Sequence, residues 1–373
     1  MRKLLFSALL AIFSFSVSAQ TFNEWQDETV NSLNRAPMHA HFFAFESPEA
    51  ASCGPEHSAN YLTLHGMWKF NWVNDADQRP TDFWKPGFND KGWDNMPVPG
   101  IWELNGYGDP LYVNSGYAWG NQYESNPPTV PVKNNHVGSY RREIEIPASW
   151  TGREVIAHFG SVTSNIYLWV NGSFVGYGED SKLESEFDIT KYIKPGQKNL
   201  IAFQVFRWCD GTYLEDQDFW RFCGVARDSY LYSRPKKHIT DVRVNPDLDA
   251  AYKDGTMGVK VSANAKLAVN VELVDAEGKV VDAKQAMTPE AEVVLSAPSA
   301  NKWTAETPYL YTVKVSTADE TIPVKAGFRK VEIKNAQLLV NGQPVLIRAL
   351  TVTRWTLTGA MSFHVSACFR ISR

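Results

Sequence analysis

The sequence has few cysteines and no excess of basic residues, and both shortages limit what the protein can be. Four cysteines in 373 residues are too few for a disulfide scaffold. No CxxC pair and no HExxH sequence occurs, so a zinc site has no support. Lysine and arginine total 37 against 41 aspartates and glutamates, a net charge of −4, so we expect no binding to nucleic acid or to an anionic membrane.

Long apolar runs are missing beyond the first twenty residues. Two basic residues at the start precede an apolar stretch over 4–17, and small residues at 17–19 form a cleavage site. The stretch is too short to span a bilayer comfortably. We predict a signal peptide over 1–19 and a secreted protein located in a bacterial periplasm. The alternative is a buried core helix.

Export permits disulfide bonds, and two of the cysteines are close in sequence. Cys209 and Cys223 flank one loop and could pair. The sequence supports equally the alternative that they are two separate buried thiols.

Long amphipathic helical patterns are absent, and short strand patterns take their place. Residues 140–146 alternate apolar and polar side chains, and further strand patterns occur at 155–159 and 166–170. Asn171-Gly172 predicts a tight hairpin turn. Many strands with short turns predict an all-β chain that begins with a jelly-roll domain over 20–235.

The composition changes near residues 234–237, after which aromatic residues become sparse. Short strand patterns then recur at regular spacing up to residue 316, as in an immunoglobulin-like β-sandwich, which we assign to 236–329. A third segment starts at residue 330, and Asn341-Gly342 predicts another hairpin within it.

One loop, over residues 208–221, has a composition unlike the rest. It contains four carboxylates among four aromatic rings. Carboxylates that accept sugar hydroxyls beside rings that stack on sugar faces would form a carbohydrate site. Two of the carboxylates could instead be a glycosidase acid and nucleophile. A third interpretation is a solvated acidic loop capped by Arg221 and Arg227.

A second unusual stretch, over residues 98–117, is rich in Gly, Pro, Trp, Tyr and Asn, as in an ordered surface loop. Asn114 in this stretch offers a donor and an acceptor to a sugar hydroxyl. It could equally be an ordinary turn asparagine.

These residues resemble the amino-terminal part of the beta-galactosidases of glycoside hydrolase family 2. The blocks that carry the resemblance are Leu33-Asn34-Arg35, Leu64 to Phe70, Pro110 to Asn114, Asn171 to Ser181, Glu184 to Asp188, Asp210 to Trp220, Gly327-Phe328-Arg329 and Leu339 to Pro344. The match runs from Glu24 to Arg348, and the Tyr213 to Asp218 motif favours the beta-galactosidases over the family's glucuronidases and mannosidases.

The resemblance implies a jelly-roll sugar-binding domain, an immunoglobulin-like sandwich, and then the start of a catalytic TIM barrel at 330–348. It implies that Asn114 and Asp210 contact the galactosyl group of a β-galactoside substrate. It also implies a role for Asp210 as a sodium ligand, the only sodium ligand present in this chain. The family uses sodium and magnesium or calcium, and is often homo-oligomeric.

The same resemblance places the two catalytic glutamates in the barrel, beyond residue 373, so no catalytic residue is assigned here. Asp210 and Asn114 are then positioning residues. Glu215, Asp216 and Asp218 are expected to be structural.

The resemblance stops abruptly after Arg348. The tail over 349–373 contains no lysine, aspartate or glutamate. If one base were lost from a glycine codon after Arg348, permitted codons for the tail, read in the restored frame, give VDRHEMDPDGGYVV, which continues the family pattern. We therefore expect an out-of-frame tail, in which His364 and Cys368 have no native role. The alternative is a short paralogue with a new tail.

Three functions follow from these observations. The first is a beta-galactosidase that hydrolyses terminal non-reducing β-D-galactose residues with retention, represented here by an amino-terminal fragment that is inactive alone. The second is a stand-alone carbohydrate-binding protein. The third is a structural module that assembles with a separate barrel chain.

Overall fold

The computed structural model describes residues 22–113, 116–123, 126–215 and 217–345. Within these ranges the regular structure consists of β-strands and short 3-10 helices, so the predicted all-β fold class is confirmed. The described 3-10 helices are Glu24–Gln26, Ala50–Ser52, Pro55–His57, Ala76–Gln78, Glu103–Asn105, Gly120–Gln122, Ala148–Trp150 and Asp210–Leu214. The predicted signal peptide, Asn114, Asp216 and the tail from residue 349 lie outside the described residues.

The first sandwich contains strands that end before residue 235. They are β1 (Ser32–Leu33), β2 (Tyr61–Thr63), β3 (Gly66–Val73), β4 (Asp94–Val98), β5 (Gly100–Ile101), β6 (Leu111–Val113), β7 (Val137–Glu145), β8 (Glu154–Phe159), β9 (Val162–Thr163), β10 (Asn165–Val170), β11 (Ser173–Glu179), β12 (Ser185–Asp188), β13 (Lys198–Phe206), β14 (Phe219–Arg221), β15 (Gly224–Val225) and β16 (Ser229–Arg234).

Two antiparallel sheets of this sandwich enclose its main core. One has the order β1-β11-β10-β13-β7-β3-β4, and the other has the order β12-β8-β16-β2. Trp68, Phe203 and Phe159 pack between them and are fully buried. The sheets meet in the way expected of a jelly roll.

The larger sheet is also covered on its outer face. Every residue of β10 is buried, because Ile166 and Leu168 point into the core while Tyr167 and Trp169 point outward into a second aromatic layer. Trp208 belongs to that outer layer. The loop that follows β13 therefore begins on a rigid aromatic surface.

The second sandwich follows β16 after a short connection. Its strands are β17 (Ile239–Leu248), β18 (Gly255–Ala263), β19 (Ala268–Val274), β20 (Val280–Met287), β21 (Glu290–Ala297), β22 (Tyr311–Ser316) and β23 (Thr321–Ala326). A sheet of order β17-β18-β21 faces a sheet of order β20-β19-β22-β23. In β21, Ala291, Val293 and Leu295 are buried and the residues between them are exposed, as alternation predicts.

A small third sheet comes last, with strands β24 (Val331–Lys334), β25 (Gln337–Val340) and β26 (Gln343–Pro344). It contacts the second sandwich through a hydrogen bond from the Tyr252 hydroxyl to Glu332 Oε1, and through a bond from Lys330 Nζ to the Leu248 carbonyl at 2.9 Å.

Both predicted Asn-Gly hairpins are confirmed. Asn171-Gly172 joins β10 to β11 with φ angles of 51° and 85°, and Asn341-Gly342 joins β25 to β26 with φ angles of 51° and 75°. Positive φ at both turn positions is what a type I′ turn needs. Cys209 and Cys223 are both buried and both free, so they are separate thiols and the disulfide alternative is wrong. No helix in the described ranges has the length and apolar character to cross a membrane.

Gly176 in β11 is expected to tolerate no side chain. A Cβ atom there would lie 2.5 Å from the Leu33 carbonyl oxygen and 2.8 Å from the Phe187 ring. We expect Gly176→Ala to lower the free energy of unfolding by about 1–3 kcal/mol, the usual cost of overpacking, as measured by denaturant titration. Gly258→Ala is the control, because its nearest neighbour would be 3.5 Å away. Equal effects of the two changes would contradict this account.

Candidate functional site

The structure brings the two unusual loops together. Strand β14 of the acidic loop pairs with β6 of the other loop, so that Phe219 lies opposite Val113 and Trp220 opposite Tyr112. Val113 directly precedes Asn114, whose own position is outside the described residues. The two sequence segments selected for sugar binding therefore form one surface.

The start of the acidic loop is fixed by a buried amide. Asn135, which is fully buried, accepts a hydrogen bond from the Trp208 backbone N–H at 2.9 Å and donates to the Trp208 carbonyl at 3.1 Å. Thr212 then caps the short 3-10 helix, because its hydroxyl accepts a bond from the Cys209 N–H at 3.1 Å. These bonds hold Asp210, the first residue of the helix, in a defined place.

The Asp210 side chain is hydrogen-bonded to a second carboxyl group, that of Glu179 at the end of β11. Burial raises the pKa of Glu179 to about 8, and the neighbouring Asp210 charge adds to the rise. The Tyr177 hydroxyl donates a hydrogen bond to Glu179 Oε1 at 2.5 Å. A Cβ atom on Gly211 would lie 2.5 Å from Glu179 Oε2, so glycine is needed for this close approach.

The division of charge within this pair follows from burial. Glu179 is 7% exposed and keeps its proton near neutral pH, whereas Asp210 is only half-buried, although burial also raises its pKa. Glu179 can therefore donate a hydrogen bond to Asp210, which carries the negative charge. Asp210 Oδ1 is inaccessible to solvent and, apart from the neighbouring Glu179 carboxyl, faces no hydrogen-bond donor among the described groups. An oxygen of this kind suits a hydroxyl donor or a cation.

The pair is not arranged as a glycosidase acid and nucleophile. Those two carboxyl groups lie about 5–5.5 Å apart in retaining enzymes, farther than a direct hydrogen bond allows. This contact suits the positioning interpretation of Asp210, while the roles of the other loop carboxylates stay predictions.

Aromatic and apolar side chains form the rim of the same surface. Tyr112 is 44% exposed, Phe219 is 42% exposed and Leu214 is 87% exposed. Tyr213 is held from below, because its hydroxyl donates to the Thr129 carbonyl at 2.6 Å and its ring packs edge-on against Trp119. Exposed rings and a carboxylate on the same pair of loops are typical of carbohydrate sites.

Other described groups of the loop make local hydrogen bonds. Asp218 accepts a hydrogen bond from the Tyr112 hydroxyl, which links β14 to β6. The Glu215 backbone N–H donates to the Thr212 carbonyl at 3.1 Å and ends the 3-10 helix. Arg221 donates to the Gln217 carbonyl at 2.7 Å, and Arg227 donates to the Lys182 carbonyl at 2.8 Å.

Two residues that shape the site were not predicted. Glu179 lies within the Gly176 to Ser181 segment that supported the family resemblance, but its role depends on where β11 ends relative to Asp210. Asn135 reads in the sequence as one of several polar loop residues, and only its burial reveals its function.

Of the metal ions that the resemblance implies, sodium finds one suitable ligand among the described residues, and magnesium and calcium are assigned none. The orphaned Asp210 Oδ1 is a hard oxygen donor and fits sodium as one ligand. In the described part of the chain, no group of three or more His, Cys, Asp or Glu side chains is arranged to hold a metal ion, so no residues are assigned to magnesium or calcium.

Two family models match consecutive parts of the chain. Residues 61–235 match the sugar binding domain of the glycosyl hydrolases family 2, and residues 237–329 match a second glycosyl hydrolases family 2 model.

Curated relatives include a Beta-galactosidase from Halalkalibacterium halodurans, 37% identical over 337 residues, which cover 87% of this chain and 33% of that protein. Another is a Beta-galactosidase from Priestia megaterium, 37% identical over 362 residues, covering 91% of this chain and 35% of that protein. The chain thus spans about a third of the length of these relatives.

A solved structure of a beta-glucuronidase from Ruminococcus gnavus aligns with a TM-score of 0.61 at 23% identity, and covers 78% of this chain and 49% of that one. An uncultured Clostridium sp. beta-glucuronidase aligns with a TM-score of 0.60 at 21% identity, with 78% and 48% coverage. At this identity the likeness concerns the fold alone.

Proposed function

Because the chain belongs to glycosyl hydrolase family 2, we propose that it is the sugar-positioning part of a retaining beta-galactosidase that hydrolyses terminal non-reducing β-D-galactose residues. The substrate class is supported by relatives that are 37% identical and named Beta-galactosidase. The beta-glucuronidase structures are too distant in sequence to argue for a glucuronide.

The observation that carries the proposal is the state of Asp210. A carboxylate that bears the charge of a hydrogen-bonded pair, with one oxygen that no other described donor reaches, lies in a loop paired to the strand that ends just before Asn114. We propose that Asp210 and Asn114 hold the galactosyl hydroxyls. Hydrogen bonds from a sugar to a charged group are stronger than neutral ones, which suits a residue that fixes orientation.

A sodium ion bound by Asp210 would offer the sugar a positive contact. Asp210 would contribute one oxygen, and Glu179 would hold the Asp210 carboxylate in place through its hydrogen bond. The remaining ligands would come from outside the described residues.

The catalytic acid and nucleophile are proposed to belong to a barrel encoded after residue 348. The two sandwiches would then bring the Asp210 surface to that barrel. Export, on the basis of the first 19 residues, completes the proposal and would place the enzyme where it meets extracellular galactosides.

The test is to restore one base after the Arg348 codon, express the gene with its downstream sequence, and measure hydrolysis of nitrophenyl β-D-galactoside and β-D-glucuronide. We expect turnover of the galactoside by the restored protein. The 373-residue chain alone is expected to show no turnover above a vector-only control, because loss of catalytic groups removes most of the rate enhancement.

Two results would contradict the proposal. One is a restored protein that prefers the glucuronide. The other is turnover by the 373-residue chain that disappears in the Asp210→Ala variant, which would place catalysis in the acidic loop itself.

A further inference from the structure

Residues 39–45, which we call the clasp segment, run between the two sandwiches and contact both. Odd-numbered side chains face the first sandwich, where Phe43 and Phe45 are buried against Tyr230 and Tyr232. Even-numbered residues face the second sandwich, where Ala44 is part of the core. Alternate residues of an extended segment point to opposite sides, so one segment can bind two domains.

On the first sandwich the clasp segment meets a buried carboxylate, Glu186 of β12. Its Oε2 lies 3.0 Å from His39 Nε2, and its Oε1 lies 2.8 Å from His158 Nδ1. The Tyr232 hydroxyl donates to the same carboxylate at 3.0 Å. A more exposed copy of this contact joins His41 Nδ1 to Glu184 Oε1 at 2.6 Å.

Both ring nitrogens of His39 face hydrogen-bond acceptors. Nε2 faces the Glu186 carboxylate at 3.0 Å, and Nδ1 faces the Ala40 carbonyl oxygen at 2.7 Å. A neutral imidazole has only one N–H, so one nitrogen lone pair would point at an acceptor. The imidazolium form satisfies both contacts, and the geometry therefore selects the protonated ring.

On the second sandwich the clasp segment is held mainly through its backbone. The Ala40 N–H donates to Asp241 Oδ1 at 3.1 Å. Phe45 exchanges two backbone hydrogen bonds with Thr321, at 2.9 Å and 2.8 Å. These contacts do not depend on a titrating side chain of the segment, so the proton-sensitive half of the clasp is the half on the first sandwich.

We propose that the clasp segment is a proton-dependent tie between the two sandwiches, closed by the imidazolium of His39 on Glu186 and loosened when that proton is lost at alkaline pH. This tie between the sandwiches does not depend on the proposed function.

The charges around the segment support this direction. The titratable and charged groups that face it are Glu184, Glu186, His158, Tyr230, Tyr232 and Arg234 from the first sandwich, and Asp241, Arg243 and Glu320 from the second. Arg234 is paired to Glu320 at 2.7 Å and Arg243 to Asp241 at 2.8 Å. His39 and His41 are therefore the cationic side chains of the segment that face the Glu186 and Glu184 carboxylates.

The pH range in which the clasp is closed follows from the directions of the pKa shifts of His39 and Glu186. A hydrogen bond to Glu186 raises the pKa of His39, so its contribution is complete below the ordinary value of 6.5 and is lost as pH rises through the raised value. Burial alone would raise the pKa of Glu186, but hydrogen bonds from His158 and His39 lower it, so its contribution is complete above the ordinary 4.5. The clasp is tightest between about pH 4.5 and 6.5.

Hydrogen exchange on the whole chain tests the proposal. Peptides that cover residues 36–46 are followed at pH 6 and pH 9, with correction for the intrinsic pH dependence of exchange, and peptides of β10 serve as an internal reference. We expect the corrected opening of residues 36–46 to increase with pH, by at most about tenfold per pH unit for each histidine of the segment that takes up a proton on closure. The β10 peptides should stay protected at both values.

The matched variants are His39→Gln and His57→Gln. Glutamine can donate to Glu186 but cannot carry the charge, so His39→Gln should open the segment at pH 6 and reduce the pH dependence to the part that the more exposed His41 supplies. His57 lies outside the clasp segment and its side chain is 66% exposed, so His57→Gln should leave the pH dependence of exchange unaltered. Equal corrected protection of the wild-type segment at pH 6 and pH 9, or an unchanged pH slope in His39→Gln, would overturn the proposal. If His39→Gln fails to fold, the wild-type comparison decides alone.

Discussion

Replacing Asp210 by asparagine in the full-length enzyme is expected to lower kcat/KM for a β-galactoside by about 10- to 150-fold. Hydrogen bonds to charged groups contribute about 1.5–3 kcal/mol, and asparagine keeps the size of the side chain while removing the charge. The backbone bonds that fix the loop come from Asn135 and Thr212, so the fold of the helix should survive the change. Steady-state kinetics with nitrophenyl β-D-galactoside measure the effect.

Glu215→Gln is the matched control for this prediction. Glu215 lies in the same loop and is also half-buried, but it stands at the far end of the 3-10 helix, away from the Glu179 pair. A loss at Glu215 equal to or larger than that at Asp210 would show that the roles of the two acids have been exchanged.

Removal of the buried carboxylate at the junction of the sandwiches should have the largest effect on stability. Glu320 Oε2 lies 2.7 Å from Arg234 Nη2, with side chains 1% and 4% exposed, and its Oε1 accepts the Ile239 N–H at 2.6 Å. Glu320→Ala leaves a buried guanidinium without its partner. We expect a decrease of about 3–5 kcal/mol in the free energy of unfolding, measured by tryptophan fluorescence in denaturant.

An exposed ion pair provides the comparison. Glu290 lies 3.3 Å from Lys260, with side chains 57% and 45% exposed. Pairs of this kind contribute little, because solvent screens them. Glu290→Ala should therefore change stability far less than Glu320→Ala, and similar losses would mean that the Arg234 pair does not tie the sandwiches together.

The strands were predictable where local pattern and burial agree. β21 alternates because one face is buried, and the hairpin between β10 and β11 follows from Asn-Gly at a position that needs positive φ. β20 shows no clear alternation, because it lies at a sheet edge with Val280 and Val281 partly exposed. Alternation in the sequence therefore does not identify this strand.

The site was predictable as two loops but not as one arrangement. Composition singled out the acidic loop and the 98–117 stretch, and pairing of β14 with β6 joins them. The contact between Glu179 and Asp210 joins the end of a strand to the start of a 3-10 helix far along the chain, and the protonation of Glu179 depends on burial that the sequence does not display. The sequence does not predict the clasp segment either, because its two faces can be assigned only once the sandwich on each side of it is known.

The structure of the full-length enzyme with galactose bound would show directly whether Asp210 positions the sugar. We expect an Asp210 carboxylate oxygen within hydrogen-bond distance of a galactosyl hydroxyl, or of a cation that contacts that hydroxyl. Glu179 should still be hydrogen-bonded to the Asp210 carboxylate. A galactose bound in the active site with Asp210 turned only toward Glu179, and neither sugar nor cation within reach of its oxygens, would contradict it.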